Sequence, residues 1–296
     1  MRIAFLIQCH KNAEQINCLT KILSSQNDDV YIHLDRKSLV DRKEIHTNDA
    51  VILLPFDKSV SVDWGAYSQC EAILTMISTV IDSGRKYDYI WLISGQDFPI
   101  KKLEEIKNYL SRAPQTPYIH IISSEHVEQL CFDKRNDIAY PPCLIGKKIY
   151  QRILRRLLLV LTGGKHKTFC IFKKKRPVDV LYYGSTWWCL PTQCVKQMVE
   201  LFDVIEGYRQ YFSTSLCADE SFFQTLFMQT KYAGEEKDIL TYVDWTAKQS
   251  SPKTFSIADC AMLMALPEQY LFARKVDFEQ DSQLAENLIG IHTNNF

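Results

Sequence analysis

The sequence predicts an α/β fold with a mostly parallel central sheet flanked by helices. The 296 residues are 46% hydrophobic, enough to bury a sizeable core in one domain or in two coupled halves. Short continuous apolar runs alternate with segments whose apolar residues recur at helical spacing. Strands that are apolar on both faces are typical of parallel sheets covered on both sides. Such sheets bind ligands beyond the carboxyl ends of their strands.

The alternation is clearest in the first 110 residues. The predicted elements, in order, are strand 3–7, helix 13–23, strand 30–35, strand 50–54, helix 72–81, strand 87–93 and helix 103–110. Polar residues follow the first strand at positions 8–11, and the second strand ends at Asp35. The fourth strand runs into a segment containing Gly95, Asp97 and Pro99, for which we predict a sharp loop. Strand ends therefore supply the first candidate ligand contacts.

The segment 180–190 is aromatic and β-prone, and Gly184 interrupts it. We predict a strand or bulge that borders a cleft, followed by a helix over 193–202. Its two neighbouring tryptophans, Trp187 and Trp188, offer an apolar face with a polar edge, which suits a sugar. The same residues are equally good core, so this segment leaves both interpretations open.

Two acids, Asp219 and Glu220, stand at the start of an apolar helical pattern. The apolar positions of that pattern are Phe222, Phe223, Leu226 and Phe227. We predict Asp219 as the N-cap and Glu220 in the first turn, where the helix dipole favours an ionised carboxylate. Glu220 is thus a candidate base near neutral pH. Capping and solvation alone also account for both acids.

Residues 138–178 contain no Asp or Glu, whereas eleven Lys or Arg residues lie between Lys147 and Arg176. An apolar stripe flanked by arginines is formed by Ile149, Ile153, Leu157, Val160 and Leu161 with Arg152, Arg155 and Arg156. This pattern is typical of a helix on an anionic membrane surface. It is equally that of a solvated basic face over a packed helix, and Lys173–Arg176 also suits phosphate-rich acceptors.

Bulk composition excludes several classes of protein. Thirty-five basic and thirty-five acidic residues cancel, so nucleic acid is not an expected partner. The ten cysteines show no C-x-x-C pair, and the N-terminal apolar run is too short for a secretory signal. No apolar segment approaches the roughly 18 residues of a spanning helix. We expect reduced thiols and a cytoplasmic location, peripheral on the inner membrane face if the basic segment binds lipid.

Five short blocks, taken in order, resemble the core-2/I-branching family of glycosyltransferases, which includes β-1,6-N-acetylglucosaminyltransferases and peptide O-xylosyltransferases. The blocks are Tyr31–Ser38, Gly95–Pro99, Gly184–Trp188, Asp219–Phe223 and Phe272–Asp277. They extend over nearly the whole chain except the basic segment. Each block is short, but their common order and spacing are specific. The absence of an anchor or disulfide pattern favours a bacterial member that builds surface polysaccharide or lipid-linked oligosaccharide.

The resemblance implies a GT-A type nucleotide-sugar fold and a single glycosyltransferase domain over 1–296. Within it, 1–120 would be the nucleotide-binding half and 121–296 the acceptor and catalytic half, with a basic insertion at about 144–178. The implied reaction is an inverting transfer from a UDP-sugar without a divalent metal or other cofactor. The sequence agrees with this, because it contains no D-x-D motif.

The resemblance also implies roles for individual residues. Glu220 would be the general base, and Asp35 and Trp64 would hold the uridine. Lys253 and Lys275 would replace the metal as partners of the leaving diphosphate. The sugar and acceptor side would be lined by Asp97, Trp187, Trp188 and Trp245, with Arg135 as a further candidate.

Two questions stay open at this point. The donor is UDP-xylose or UDP-N-acetylglucosamine, and the acceptor is a glycan or a lipid-linked oligosaccharide. The alternative to an enzyme is a non-catalytic, membrane-associated scaffold of the same fold that binds a nucleotide sugar. The joint presence of Glu220, Lys253 and Lys275 favours the enzyme. An anionic membrane surface is a further expected partner, through residues 147–176.

Overall fold

The structure is a computed structural model that describes residues 1–123, 127, 133–146, 148–161, 173–246 and 251–293. The strands are β1 (Ile3–Cys9), β2 (Asp29–Leu34), β3 (Val51–Leu53), β4 (Tyr89–Ser94), β5 (Asp97–Pro99), β6 (Tyr118–Ile119), β7 (Trp188–Pro191), β8 (Thr241–Val243) and β9 (Phe272–Arg274). The α-helices are α1 (Ala13–Leu23), α2 (Ser68–Asp82), α3 (Leu103–Arg112), α4 (Asp133–Asn136), α5 (Ile149–Leu161), α6 (Thr192–Val204), α7 (Tyr208–Ser213), α8 (Phe222–Phe227), α9 (Cys260–Met264) and α10 (Ser282–Thr293). The elements predicted for the first 110 residues are confirmed.

The central sheet has six strands in the order β3-β2-β1-β4-β7-β6. Strands β3, β2, β1 and β4 pair in parallel, whereas β7 runs antiparallel to both of its neighbours. The prediction of a mostly parallel sheet in an α/β fold is therefore confirmed. Parallel pairing brings the carboxyl ends of β1, β2 and β4 to one edge.

Strand β1 divides the core, because its side chains alternate between the two faces of the sheet. Ile3, Phe5 and Ile7 join a cluster with α1, α3, α10 and β9. Ala4 and Leu6 join a second cluster with α2, β7 and the helices α6, α7 and α8. Both faces of the sheet are covered, as its continuous apolar strands predict.

The segment after β4, for which we predicted a loop, contains strand β5. Asp97 pairs with Arg274 in an antiparallel arrangement, and β8 pairs in parallel with β9, giving a second sheet in the order β5-β9-β8. The local Gly and Pro signals could not predict this strand, because its partner lies about 175 residues further along the chain. The second sheet carries Lys275, the residue after β9, to the edge of the central sheet.

Asp219 does not cap α8, so the predicted helix start is wrong. Ala218–Glu220 forms a single 3₁₀ turn, and Ser221, with φ of −136°, separates this turn from the helix. The Asp219 carboxylate instead accepts a hydrogen bond of 2.6 Å from the Thr186 hydroxyl. Glu220 therefore precedes the helix and does not lie in its first turn. We call Ala218–Glu220 the base turn.

The helix predicted in the basic segment is confirmed as α5. The part of that segment over 162–172 lies outside the described residues, so the prediction made for it stays open. None of the helices that the structure describes is long and apolar enough to cross a membrane.

Candidate active site

The ends of β1 and β2 lie side by side at the carboxyl edge of the central sheet. The backbone N–H of Asp35 donates to the carbonyl of Cys9 at 2.9 Å. The Asp35 carboxylate accepts from the backbone N–H groups of Lys37 (2.9 Å) and Val62 (3.4 Å). The second bond ties Asp35 to the loop that carries Trp64, which is 43% exposed. The two residues predicted to hold uridine thus lie at the same edge, which we call the donor edge.

His10, which the sequence analysis included only as one of the polar residues 8–11, directly follows β1 at the donor edge. Partial burial lowers the pKa of His10, and Lys11 lowers it further. Lys275 and Arg274 act in the same direction, whereas the Asp35 carboxylate raises this pKa. The imidazole therefore lies within the field of both predicted contacts. Its position directly after β1, beside the end of a parallel strand, is the signal that could have identified it.

Lys253 and Lys275, the predicted diphosphate contacts, lie on adjacent segments. The N–H of Lys275 donates to the carbonyl of Lys253 at 3.2 Å, and Phe255 N–H donates to the carbonyl of Lys275 at 2.9 Å. Their side chains have different surroundings. Lys253 Nζ forms an ion pair of 2.6 Å with Asp259, whereas the charge of Lys275 acts on His10. Lys275 is therefore the better placed of the two to act at the donor edge.

Asp97 is fully buried, which corrects its predicted place on the lining of the site. One carboxylate oxygen accepts from the Arg274 guanidinium at 2.7 Å, and the other accepts from the Ser94 N–H at 2.8 Å. The Arg274 guanidinium carbon lies 4.5 Å from the ring centroid of Trp187, a cation–π distance. Asp97 therefore holds the guanidinium of Arg274 in place, and Arg274 in turn contacts the ring of Trp187.

The neighbouring tryptophans have different environments. Trp187 is half-buried against Arg274, whereas Trp188 in β7 is 1% exposed and packs 5.9 Å from the ring of Phe223. The predicted contact of Trp188 with substrate is therefore wrong, because its ring is sealed in the core beneath α8. Trp245 follows β8 and is 54% exposed, so its predicted role stays open.

Glu220 forms an ion pair with Arg135, which is 85 residues earlier in the chain. Both side chains are about one-third exposed. The Arg135 carbonyl accepts from the N–H of Leu216 at 2.8 Å, which joins α4 to the segment before the base turn. The N–H of Cys217 donates to the carbonyl of Gly65 at 2.7 Å, next to the exposed tryptophan of the donor edge. The residue before the base turn is thus hydrogen-bonded to the residue after Trp64, which brings the base turn next to the donor edge.

Burial raises the pKa of Glu220 to about 7, and the carboxyl of Asp219 acts in the same direction, whereas Arg135 opposes both. The pKa of Asp219 is raised as well, again by burial. The prediction that a helix N-terminus keeps Glu220 ionised is therefore wrong. A carboxyl group whose pKa lies near working pH is well suited to accept and release a proton.

Gly184 fixes the backbone of the base turn. Its N–H donates to the carbonyl of Glu220 at 2.8 Å. A Cβ atom at this position would lie 1.7 Å from the carbonyl oxygen of His120, so only glycine fits. The resembling block Gly184–Trp188 therefore supports the base turn through Gly184 and Thr186, and contributes a half-buried ring through Trp187.

Together these features describe an α/β protein in which a carboxyl group with a raised pKa lies near a sheet edge that carries cations, an arrangement suited to group transfer. The sequence profile of the Core-2/I-Branching enzyme family matches residues 3–263. The chain therefore belongs to this family of glycosyltransferases. The resemblance to this family is confirmed, and family membership agrees with the predicted GT-A type α/β fold.

The chain is similar to two curated xylosyltransferases. It is 25% identical to "Xylosyltransferase oxt" of Drosophila melanogaster, over 100% of this chain and 34% of the relative. It is 28% identical to a xylosyltransferase of Ciona intestinalis, over 38% of this chain and 14% of the relative. The chain thus spans about a third of the Drosophila protein.

Two solved structures resemble the chain more remotely. Core-mannan synthase A of Aspergillus fumigatus is 8% identical with a TM-score of 0.37, over 80% of this chain and 72% of that one. Mouse xyloside xylosyltransferase 1 is 9% identical with a TM-score of 0.39, over 92% of this chain and 96% of that one.

Proposed function

We propose that this chain is an inverting, metal-independent glycosyltransferase that moves a sugar from a UDP-sugar to a hydroxyl of a glycan or lipid-linked acceptor. The observation that carries this proposal is the closeness of the base turn to the donor edge. The hydrogen bond from Cys217 to Gly65 joins the segment that carries Glu220, whose pKa is raised to about 7, to the loop that carries Trp64. That loop is hydrogen-bonded to Asp35, and the charges of Asp35 and Lys275 both act on His10 at the donor edge. A base and a site for a leaving diphosphate are the two parts that such a transfer requires.

In the proposed reaction, ionised Glu220 accepts the proton of the acceptor hydroxyl. The acceptor oxygen forms a bond to the anomeric carbon while the bond from that carbon to the diphosphate breaks. UDP leaves with the bonding electrons on the opposite face, so configuration inverts. Glycoside hydrolysis would require a second, protonated carboxyl group across the bond. Asp219 does not supply it, because it is buried and accepts a hydrogen bond from Thr186.

Lys275 is the proposed partner of the developing negative charge on UDP, a role that preorganised cations fulfil effectively. Arg274 contributes less, since Asp97 already balances its charge at 2.7 Å. Lys253 would have to exchange its ion pair with Asp259 for a contact with phosphate. Asp35 and Trp64 would hold the uridine, by hydrogen bonding and by stacking.

Arg135 is a positioning residue in this proposal. Its guanidinium stabilises the ionised form of Glu220 and fixes the direction of the carboxylate. Similarity to xylosyltransferases supports UDP-xylose as donor, whereas the family name supports UDP-N-acetylglucosamine. We retain both donors, and a cytoplasmic location remains part of the proposal.

The test is a donor screen that measures UDP release with and without EDTA, using simple glycan and lipid-linked acceptors. We expect turnover with one of the two donors, undiminished by EDTA, and a product whose anomeric configuration, read by NMR, is inverted. Loss of turnover on chelation would refute metal independence. Donor binding without turnover on any acceptor would favour the non-catalytic scaffold, in which the pKa of Glu220 has no use.

A further inference from the structure

Helix α5 exposes apolar side chains along one whole face. Their exposed fractions range from 43% for Leu154 to 78% for Leu161. The members of this face, which we call the α5 apolar face, are Ile149, Tyr150, Ile153, Leu154, Leu157, Val160 and Leu161. At 100° per residue they fall within one arc of about 140°. An apolar face of this size on a 13-residue helix is a candidate interaction surface.

The other side of α5 is the one attached to the protein. The Gln151 side chain is buried and donates to the carbonyls of Cys143 (3.1 Å) and Ile145 (3.0 Å). Arg155 donates to the carbonyl of Gly146 at 2.9 Å. These contacts fix the orientation of the helix and direct the α5 apolar face outward.

The charged side chains that α5 itself carries are all cationic. Arg152 and Arg156 are exposed and lie beside the apolar arc, and no Asp or Glu occurs anywhere in 138–178. An exposed apolar arc with a cationic flank matches the interface of an anionic bilayer, where apolar groups enter the acyl boundary and cations meet the headgroups. A protein partner of this surface would need acidic residues around an apolar patch to complement Arg152 and Arg156.

Two cations in the described part of the basic segment after α5, Lys174 and Arg176, make internal contacts. Lys174 Nζ donates to the carbonyl of Tyr211 (2.6 Å) and to the Ser215 hydroxyl (2.9 Å). Arg176 makes two hydrogen bonds, of 2.8 and 2.7 Å, to the carboxylate of Asp137. These two cations are held by internal contacts, whereas Lys173 and Lys175 are exposed. Binding of phosphate-rich acceptors by 173–176 stays an open alternative.

We propose that α5 docks on an anionic phospholipid bilayer, with the α5 apolar face in the acyl boundary and Arg152 and Arg156 at the headgroups. The helix also lies close to the candidate base. Leu158, on its attached side, packs in a small cluster that includes Ala66 and Leu216. These residues flank the 2.7 Å hydrogen bond between Cys217 and Gly65 that joins the base turn to the donor edge.

This geometry deepens the proposed function, on which it rests for the identity of the acceptor. A docked α5 holds the base turn near the membrane surface, where an acceptor attached to a lipid presents its hydroxyl. The structure therefore favours the lipid-linked acceptor over a free glycan.

The test is co-sedimentation of the full chain with vesicles of phosphatidylcholine alone or mixed with phosphatidylglycerol. We expect retention on the anionic vesicles at low salt and release as salt shortens the screening length from about 10 Å at 0.1 M to about 3 Å at 1 M. Val160→Asp should lower the partition coefficient by about tenfold or more, because it places a charge in the acyl boundary. Val204→Asp is the matched control, since Val204 at the end of α6 is 74% exposed and Val160 is 70% exposed.

Equal loss in both aspartate variants, or no retention on anionic vesicles, would overturn the proposal. A concentration-dependent dimer that Val160→Asp abolishes, without vesicle binding, would instead assign this face to a second copy of the chain. Vesicle binding and turnover are separable. Glu220→Gln should remain on vesicles, and Val160→Asp should retain donor-dependent UDP release on a water-soluble acceptor.

Discussion

The donor edge and the base turn lie next to each other, but they are built differently. The donor edge is built around residues that directly follow strands, such as His10 after β1 and Asp35 after β2, and loops add Trp64 and Lys253. Its polar side chains are exposed or half-buried. The base turn is a single 3₁₀ turn whose partners come from distant parts of the chain: Arg135 on one side and Gly184 and Thr186 on the other.

The difference determines how each region responds to change. Charges at the donor edge are several and partly solvated, so removing one of them weakens a shared field. The base turn depends on one ionisation, that of Glu220, set by burial and by two opposing neighbours. We therefore expect large or directional effects at the base turn and graded effects at the donor edge.

The largest expected effect is that of Glu220→Gln, which keeps the shape of the side chain but removes its ability to accept a proton. We expect kcat to fall by about 10² to 10⁴, the usual contribution of a general base, with donor binding unchanged. Steady-state UDP release and donor titration measure the two quantities. Glu206→Gln, an exposed position just after α6, is the control and should be neutral. A fall of less than about fivefold would assign the base elsewhere.

The same contrast explains what the sequence could predict. Strand ends of a parallel sheet are visible in hydrophobic patterns, and the sheet order brings them together. Asp35 was therefore placed correctly at the sheet edge, and the structure adds His10 beside it. The contact of Lys275 with this edge required the pairing of β5 with β9, which local patterns do not contain.

The base turn was predicted in outline only. The acids at 219 and 220 and the helix behind them were identified, but the pattern does not reveal that Ser221 leaves helical geometry. Burial of Asp219 under Thr186, and the Arg135 ion pair, depend on contacts between distant segments. Trp187 and Trp188 illustrate the same limit. The sequence does not distinguish the two tryptophans, but the ring of Trp188 is buried in the core and that of Trp187 is half-buried.

The second prediction separates the two lysines of the donor edge. Lys275→Met and Lys253→Met each remove a charge and keep the apolar stem. We expect kcat/KM to fall by about 10² for Lys275→Met, the lower range for loss of a transition-state charge contact. For Lys253→Met we expect about tenfold or less, because Lys253 must first leave Asp259. Steady-state kinetics with both donors checks this, and a larger loss at Lys253 would reverse the assignment.

The third prediction concerns the pH dependence of the base turn. Glu220 acts in its ionised form, so kcat/KM should decline as pH falls through about 7. Asp219→Asn removes an influence that raises this pKa and should move the decline to lower pH. Arg135→Gln removes an influence that lowers it and should move the decline to higher pH. Each shift should be about one pH unit.

These opposite shifts are a sharper test than loss of activity, because a merely structural defect changes the height of a pH profile and not its midpoint. The profile of kcat/KM between pH 5 and 9 gives the midpoint for each variant. Asp219→Asn is the conservative choice, since an amide oxygen still accepts the Thr186 hydrogen bond. Midpoints that move in the same direction, or not at all, would show that Glu220 does not control the profile.

The smallest expected effect is at His10, the residue that the structure adds to the donor edge. Partial burial and neighbouring cations lower the pKa of His10, which favours the neutral imidazole, so we expect it to contribute hydrogen bonds and no charge. His10→Ala should therefore raise KM for the donor by about three- to tenfold, the value of one neutral hydrogen bond, with kcat nearly unchanged. A loss as large as that of Lys275→Met, with a step in activity near pH 6.5 that the variant lacks, would instead show a charged imidazolium on the diphosphate. Because burial and three neighbouring cations oppose that charge, the neutral form is the one we expect to bind UDP.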